Sequence, residues 1–132
     1  MTDREMLDIL RSKKLCCAQM MVAMGLCLKG EQNDGLVDAA FGLCLGVHSG
    51  LLCGTLSGGA LMLSLFDKEL AKNELIPMFS QWFEDEMTSK YGSLNCGEII
   101  GGDPSFKTVR CPQIVELAYF EAKRLLLESG QI

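Results

Sequence analysis

GLCLGVHSGLLCGTLSGG, residues 42–59, is the stretch whose reading decides the fold. Gly42, Gly46, Gly50, Gly54 and Gly58 recur at every fourth position. On a helix that spacing stacks the glycines in one row along one face. A row without side chains lets a second backbone approach closely, or lets the chain turn where a side chain would clash. Gly46-Val-His-Ser-Gly50 reads as a break, so the stretch predicts a helical hairpin with Cys53 in its middle.

A membrane segment is the competing reading. Ala39 to Phe66 carries no formal charge with His48 neutral and is long enough to cross a bilayer. Its glycine row imitates the packing motif of membrane helices. Against this, the stretch is rich in Gly and Ser, is flanked by Asp34, Asp38 and Asp67, and lacks a basic cluster to orient it. The break also leaves two helices each too short to span. The hairpin of a soluble protein is the better expectation.

Outward from the hairpin, 132 residues with 48% apolar content predict a single domain, 1–132, with a true core. A net charge of −5 argues against nucleic-acid binding, which needs clustered Lys and Arg. The N-terminus, MTDREMLDIL, has no positive-then-apolar export layout, so a cytoplasmic location is expected. Seven cysteines in such a chain point to metal binding or redox work more than to disulfides.

The spacing predicts a first helix over about Asp3–Leu28, with Leu7, Leu10, Cys17, Met21, Met24 and Leu28 on its buried seam and Lys14 the charged intruder. Cys16 lies on the shoulder of that seam. Both cysteines also read as small core residues, and the methionines as core filling. Lys29 to Gly35 is a connection, with Asn33 or Asp34 placed to cap the next helix. A second helix, Leu36–Leu45, puts Val37, Phe41 and Cys44 on one face, making Cys44 a core residue; Cys27 has the same reading.

A third helix, about Leu51–Phe66, places Cys53 in its first turn, where unpaired N–H groups and the helix dipole favour a thiolate. Small residues around it leave room for a cofactor, a second thiol or another helix; Gly54 and Gly58 are the candidate cofactor contacts. Asp67 caps a fourth segment that runs to Tyr91, kinks near Glu74–Pro77 and ends at Gly92. Its stripe is Ile76, Phe79, Phe83 and Met87. Asn95-Cys96-Gly97-Glu98 is a capping-box pattern with Cys96 at the first helical position. Gly101 to Thr108 is a loop by composition, and Cys111-Pro112 opens the last helix, to about Glu128. The fold class is all-α, a bundle of about five helices around the glycine-rich hairpin.

Cys53, Cys96 and Cys111 thus stand at predicted helix starts, with Cys17 supplied from the first helix. No C-x-x-C pair is present, so no local zinc or thioredoxin-like motif exists. Four converging thiolates would suit zinc or an iron–sulfur cluster. Without a metal, Cys53 would attack and Cys96 or Cys111 resolve. His48, the single histidine, is a fourth ligand, a base or an ordinary turn residue. No Ser-His-Asp arrangement, Walker loop or dinucleotide fingerprint occurs.

The order of these motifs resembles the C-GCAxxG-C-C family of redox-active proteins over nearly the whole chain. Cys17 in Cys-Cys17-Ala-Gln-Met-Met fits the first family cysteine. Cys53-Gly54-Thr55-Leu56-Ser57-Gly58 fits the central motif, Tyr91-Gly92-Ser93-Leu94-Asn95-Cys96 the third, and Cys111 the fourth. Thr55 stands where the motif has alanine, and the Gly46–Gly50 turn lacks the charged residues expected there. The resemblance implies redox work with bound iron. The expected function is therefore electron transfer or redox sensing through a metal, above all an iron–sulfur cluster, held by Cys17, Cys53, Cys96 and Cys111. A metal-free thiol–disulfide oxidoreductase or sensor is the alternative, and a non-catalytic helical interaction module the third. A redox partner protein is implied, and the flat glycine row suggests a homodimer.

Overall fold

The computed structural model of the chain describes residues 2–101 and 103–132. Within them the chain is all-helical, an arrangement of seven helices rather than five when the continuous run 68–91 is counted once. Helix α1 spans Asp3–Ser12 and is opened by a reciprocal Thr2/Glu5 capping box. The expected first helix does not continue through: Lys14 takes a left-handed backbone, φ 59°. The chain restarts with Cys16 as N-cap and α2 over Cys17–Lys29. Gln19 supports that restart, its carbonyl accepting from Cys16 N–H at 3.1 Å while its amide donates to Val37 O at 3.1 Å. The break moves Cys17 from mid-helix to the first position of a helix.

Every residue from Ala18 to Leu26 is buried. A helix apolar all round belongs at the centre of its bundle, so α2 rather than the hairpin is the axis. Helix α3, Asp34–Ala39, is capped by the Asn33 side chain and tightens into a 3₁₀ turn, Ala40–Leu43. Cys44 is already extended. The expected break comes next: Leu45, Gly46, Val47, His48 and Gly50 all have positive φ, between 52° and 72°. Left-handed backbone costs about 1–2 kcal/mol at each non-glycine position, so this turn stores strain.

Helix α4, Gly54–Ser64, begins with Cys53 as its N-cap, one step earlier than the first-turn position expected. Its glycines do not form one row, because the turn interrupts the register. Gly54 and Gly58 face α2: a Cβ on Gly58 would lie 2.7 Å from Ala18 Cα, and one on Gly54 2.9 Å from Cys17 Sγ. Of the occupants expected beside these glycines, a second helix lies against Gly58 and a second thiol, with Leu43 O, against Gly54.

The fourth segment runs without interruption as α5, residues 68–91. It passes through Lys68–Leu70, a π-helical Ala71–Leu75 and regular Ile76–Tyr91, with the Asp67 side chain capping it and Gly92 left-handed after it. The kink expected from Pro77 is taken up as the π-bulge. Helix α6, Cys96–Ile100, has Asn95 as its N-cap, but the predicted capping box is absent; the Asn95 amide instead donates to Glu98 at 3.4 Å.

The last helix starts well before Cys111. Asp103 accepts from Ser105 N–H at 3.0 Å and opens α7 over Pro104–Glu128, leaving Pro112 inside it. Asp-Pro-Ser is the stronger start signal, an acceptor at N-cap followed by proline at the first position. The expected loop over Gly101–Thr108 therefore shrinks, Gly102 lying outside the described residues. Arg110 holds α6 against α7, donating to Ile99 O and lying 5.0 Å from the Tyr91 ring centroid.

The main core joins α1, α2, α4, α5 and α7, with Met21, Met62, Phe79, Phe83 and Tyr119 shielded from solvent. No helix among the described residues is long and apolar enough to cross a membrane.

Candidate thiol site

Cys17, at the first position of α2, and Cys53, at the N-cap of α4, meet because Gly54 and Gly58 draw the two helices together. Each sulfur shifts the titration of the other, in opposite directions. A cavity of about 300 Å³ opens beside them, lined by Cys16, Cys17, Cys53, Cys96 and Cys111. Two main-chain hydrogen bonds carry Cys96 to its place: Cys53 N–H donates to Leu94 O at 3.0 Å and Cys96 N–H to Leu51 O at 2.6 Å. Leu52 and Asn95 form an isolated antiparallel bridge between them.

The electrostatics divide the thiols. Cys17 is brought down to about 6, chiefly because Cys53 donates a hydrogen bond to its sulfur; burial opposes this, and the Thr55 hydroxyl with the Ala18 and Leu45 amides reinforces it. Cys53 is pushed far up by the same hydrogen bond, then by burial and the Cys17 charge. The two shifts run in opposite directions, making Cys17 the more acidic thiol of the pair. Cys111 is raised to about 11, first by burial and then by the negative charge of Cys17; Cys96 is raised by the same two causes. A helix start alone does not make a thiolate: Cys17 and Cys96 both hold a first position, and only Cys17 has thiol, hydroxyl and amide donors converging on it.

The expected metal centre is overturned. Among the described residues no group of three or more His, Cys, Asp or Glu side chains is arranged to hold a metal ion. Thiolate ligands must converge to about 2.3 Å from one ion, and among the described residues no third ligand closes on Cys17 and Cys53. Cys96 and Cys111 line the same cavity without closing on that pair. Zinc, an iron–sulfur cluster and iron-based electron transfer therefore do not fit this donor set.

The other cysteines are placed differently from expectation. Cys44 is buried as expected but is joined to Cys16 by a disulfide, their Cα atoms 6.0 Å apart. That separation lies in the ordinary disulfide range. Cys27 is exposed rather than buried, its sulfur 3.4 Å from that of Met6. His48 does not line the cavity: its Nε2 lies 2.8 Å from Phe41 O and its ring 4.7 Å from that of Phe41.

Sequence reasoning misses the Thr55 hydroxyl and the Leu45 amide as Cys17 partners, and the Cys16–Cys44 bond. In the sequence Thr55 stands out only as a departure from the family motif. Its burial, at 1% exposure, is what makes the hydroxyl matter.

Fold and site together define an all-helical protein with cysteines gathered around one cavity. The sequence comparison gives the family: residues 15–125 match the model described as "Putative redox-active protein (C_GCAxxG_C_C)", and the chain belongs to that family. No match was found among curated proteins or among solved structures.

Proposed function

We propose that the protein is a metal-free thiol–disulfide redox protein in which Cys17 attacks and Cys53 resolves. This departs from the sequence-based expectation, in which Cys53 attacks and Cys96 or Cys111 resolves. The observation that supports it is that Cys17 and Cys53 line one cavity where α2 and α4 pack closely, with Cys17 the more acidic of the two. A thiolate with a value near ambient pH combines a useful ionised fraction with good nucleophilicity. Cys17 attacks one sulfur of a substrate disulfide, whose S–S bond breaks and whose departing thiolate takes a proton from solvent. A mixed disulfide on Cys17 removes its negative charge, and with it one of the causes that hold the Cys53 proton. Cys53 then loses that proton to solvent, attacks Cys17 Sγ and expels the second substrate thiolate. The protein's thiol pair is oxidised by two electrons and the substrate reduced by two.

Mass mapping after oxidation by a small disulfide tests this. Wild-type protein should yield a Cys17–Cys53 bond, Cys53→Ser should accumulate a mixed disulfide on Cys17, and Cys17→Ser should do neither. A stable mixed disulfide on wild-type Cys17, with Cys53 free, would remove the resolving role.

A further inference from the structure

The cavity itself carries information about what Cys17 meets. Its walls are Leu15, Met20, Ile99 and Val115 beside the thiols, a lining that favours an apolar body over a hydrated one. Cys17, the attacking sulfur, is only partly exposed and lines the cavity, so a disulfide has to enter the cavity to be attacked. At about 300 Å³ the space suits a small molecule.

The cavity lining includes two cationic side chains. Lys107 lines it from the exposed face of α7 and stands one helical turn before Cys111, so the two share a face. Its charge is felt at both Cys96 and Cys111. Arg11 also lines the cavity, but it is engaged by Pro112 O at 2.9 Å and by Glu116 at 3.6 Å. No carboxylate lines the cavity and no ion pair holds Lys107 among the described residues.

Granted the Cys17–Cys53 reading, we propose that the substrate is a low-molecular-weight disulfide with an apolar arm and a carboxylate, bound with its arm in the cavity and its anion against Lys107. The reaction is R–S–S–R plus two protein thiols giving two R–SH and the Cys17–Cys53 disulfide. The first S–S bond to break is the substrate's and the last S–S bond to form is the protein's. A small dithiol in excess returns the pair to its reduced form, completing the cycle.

Stopped-flow kinetics in a Cys27→Ser background, which removes the exposed distant thiol, test the assignment with three disulfides. These are 5,5′-dithiobis(2-nitrobenzoate), aromatic and anionic; 4,4′-dithiodipyridine, aromatic and neutral; and native insulin, a protein with intact disulfides. The anionic probe should react at least about tenfold faster than insulin. Lys107→Glu should lower the ratio of anionic to neutral rate constants by about tenfold, as expected for charge reversal at a binding mouth. Thr108→Trp, which places a bulky ring at the exposed rim, should slow both small probes. An unchanged anionic-to-neutral ratio in Lys107→Glu, or insulin reacting as fast as the small probes, would overturn the assignment. Release of one nitrothiobenzoate rather than two, with the Lys107 ratio effect intact, would instead sink the resolving role of Cys53 and leave the substrate class standing.

Discussion

At the scale of single residues, the protein turns on which sulfur carries the charge. Cys17 has Cys53, Thr55 and two amides to stabilise its thiolate, while Cys96 and Cys111 have mainly burial. Alkylation of Cys17 should therefore show a pH midpoint near 6, with Cys96 and Cys111 reacting only above the ordinary thiol range; peptide mapping after iodoacetamide at several pH values reads this. Thr55→Ala, which removes one donor, should raise the Cys17 midpoint by about one pH unit. An unmoved midpoint would show the hydroxyl to be a bystander. The same pair sets a stability profile. From about pH 6 to pH 9 the folded pair binds fewer protons than the unfolded pair, so stability should rise with pH. Above pH 9 the folded pair binds more protons than the unfolded pair, so stability should fall. Denaturant titrations across that range check both slopes. Little of this is legible in the sequence. The four family cysteines can be picked out, but Cys53 looks the better thiolate because a helix start is its only visible cue. The donors around Cys17 come from α4 and from the turn at Leu45, and no local pattern announces a long-range hydrogen bond.

At the scale of elements, the glycines separate into those that admit a backbone and those that do not. Gly58 abuts Ala18 main chain, whereas Gly42 has nothing within 4 Å of its would-be Cβ. Gly58→Ala should cost about 1–3 kcal/mol, since main chain cannot yield as a side chain can. Gly42→Ala should be neutral or stabilising by up to about 1 kcal/mol through the unfolded state. Urea midpoints of the two variants distinguish them, and equal effects would refute the packing account. The four-residue glycine period is correct as a sign of close approach but misleading as a continuous row, because five left-handed residues intervene between Cys44 and Leu51. Helix identity is legible almost throughout from apolar spacing. Three boundaries are not: the break at Lys14, the cap at Cys53, and the early start of α7. In the first, Lys14 is an intruder on the seam, and a left-handed residue explains it better than a tolerated buried charge. In the last, Cys-Pro at 111–112 competes with Asp-Pro-Ser at 103–105, and the side-chain acceptor wins.

At the scale of the whole molecule, α1 lies before the family match, which begins at residue 15, yet it is built into the bundle. Leu7 and Leu10 are buried in the core. Tyr119 OH donates to Asp3 at 2.7 Å and Lys123 Nζ to the same carboxylate at 2.5 Å, fastening α1 to α7. Burial opposes ionisation of Asp3, but the Lys123 and Tyr119 hydrogen bonds outweigh it and hold its carboxyl below the usual range. Its contribution is present above the unfolded value and lost as pH falls through the folded one. Asp3→Asn should therefore cost about 1 kcal/mol at pH 7, discounted for partial exposure, and close to nothing at pH 2. Thermal melts at the two pH values test the sign. The main-chain ladder that joins residues 51–53 to residues 94–96 has a different consequence. Amide groups, not side chains, set the spacing of Cys53 and Cys96 there, and Leu51 and Leu52 point to solvent at 55% and 40% exposure. Those two positions are thus free to drift: a randomised library at Leu51 and Leu52 should retain the dithiol with nearly any pair of residues, losing chiefly the variants that put proline at position 51, where the amide donates to Gly46.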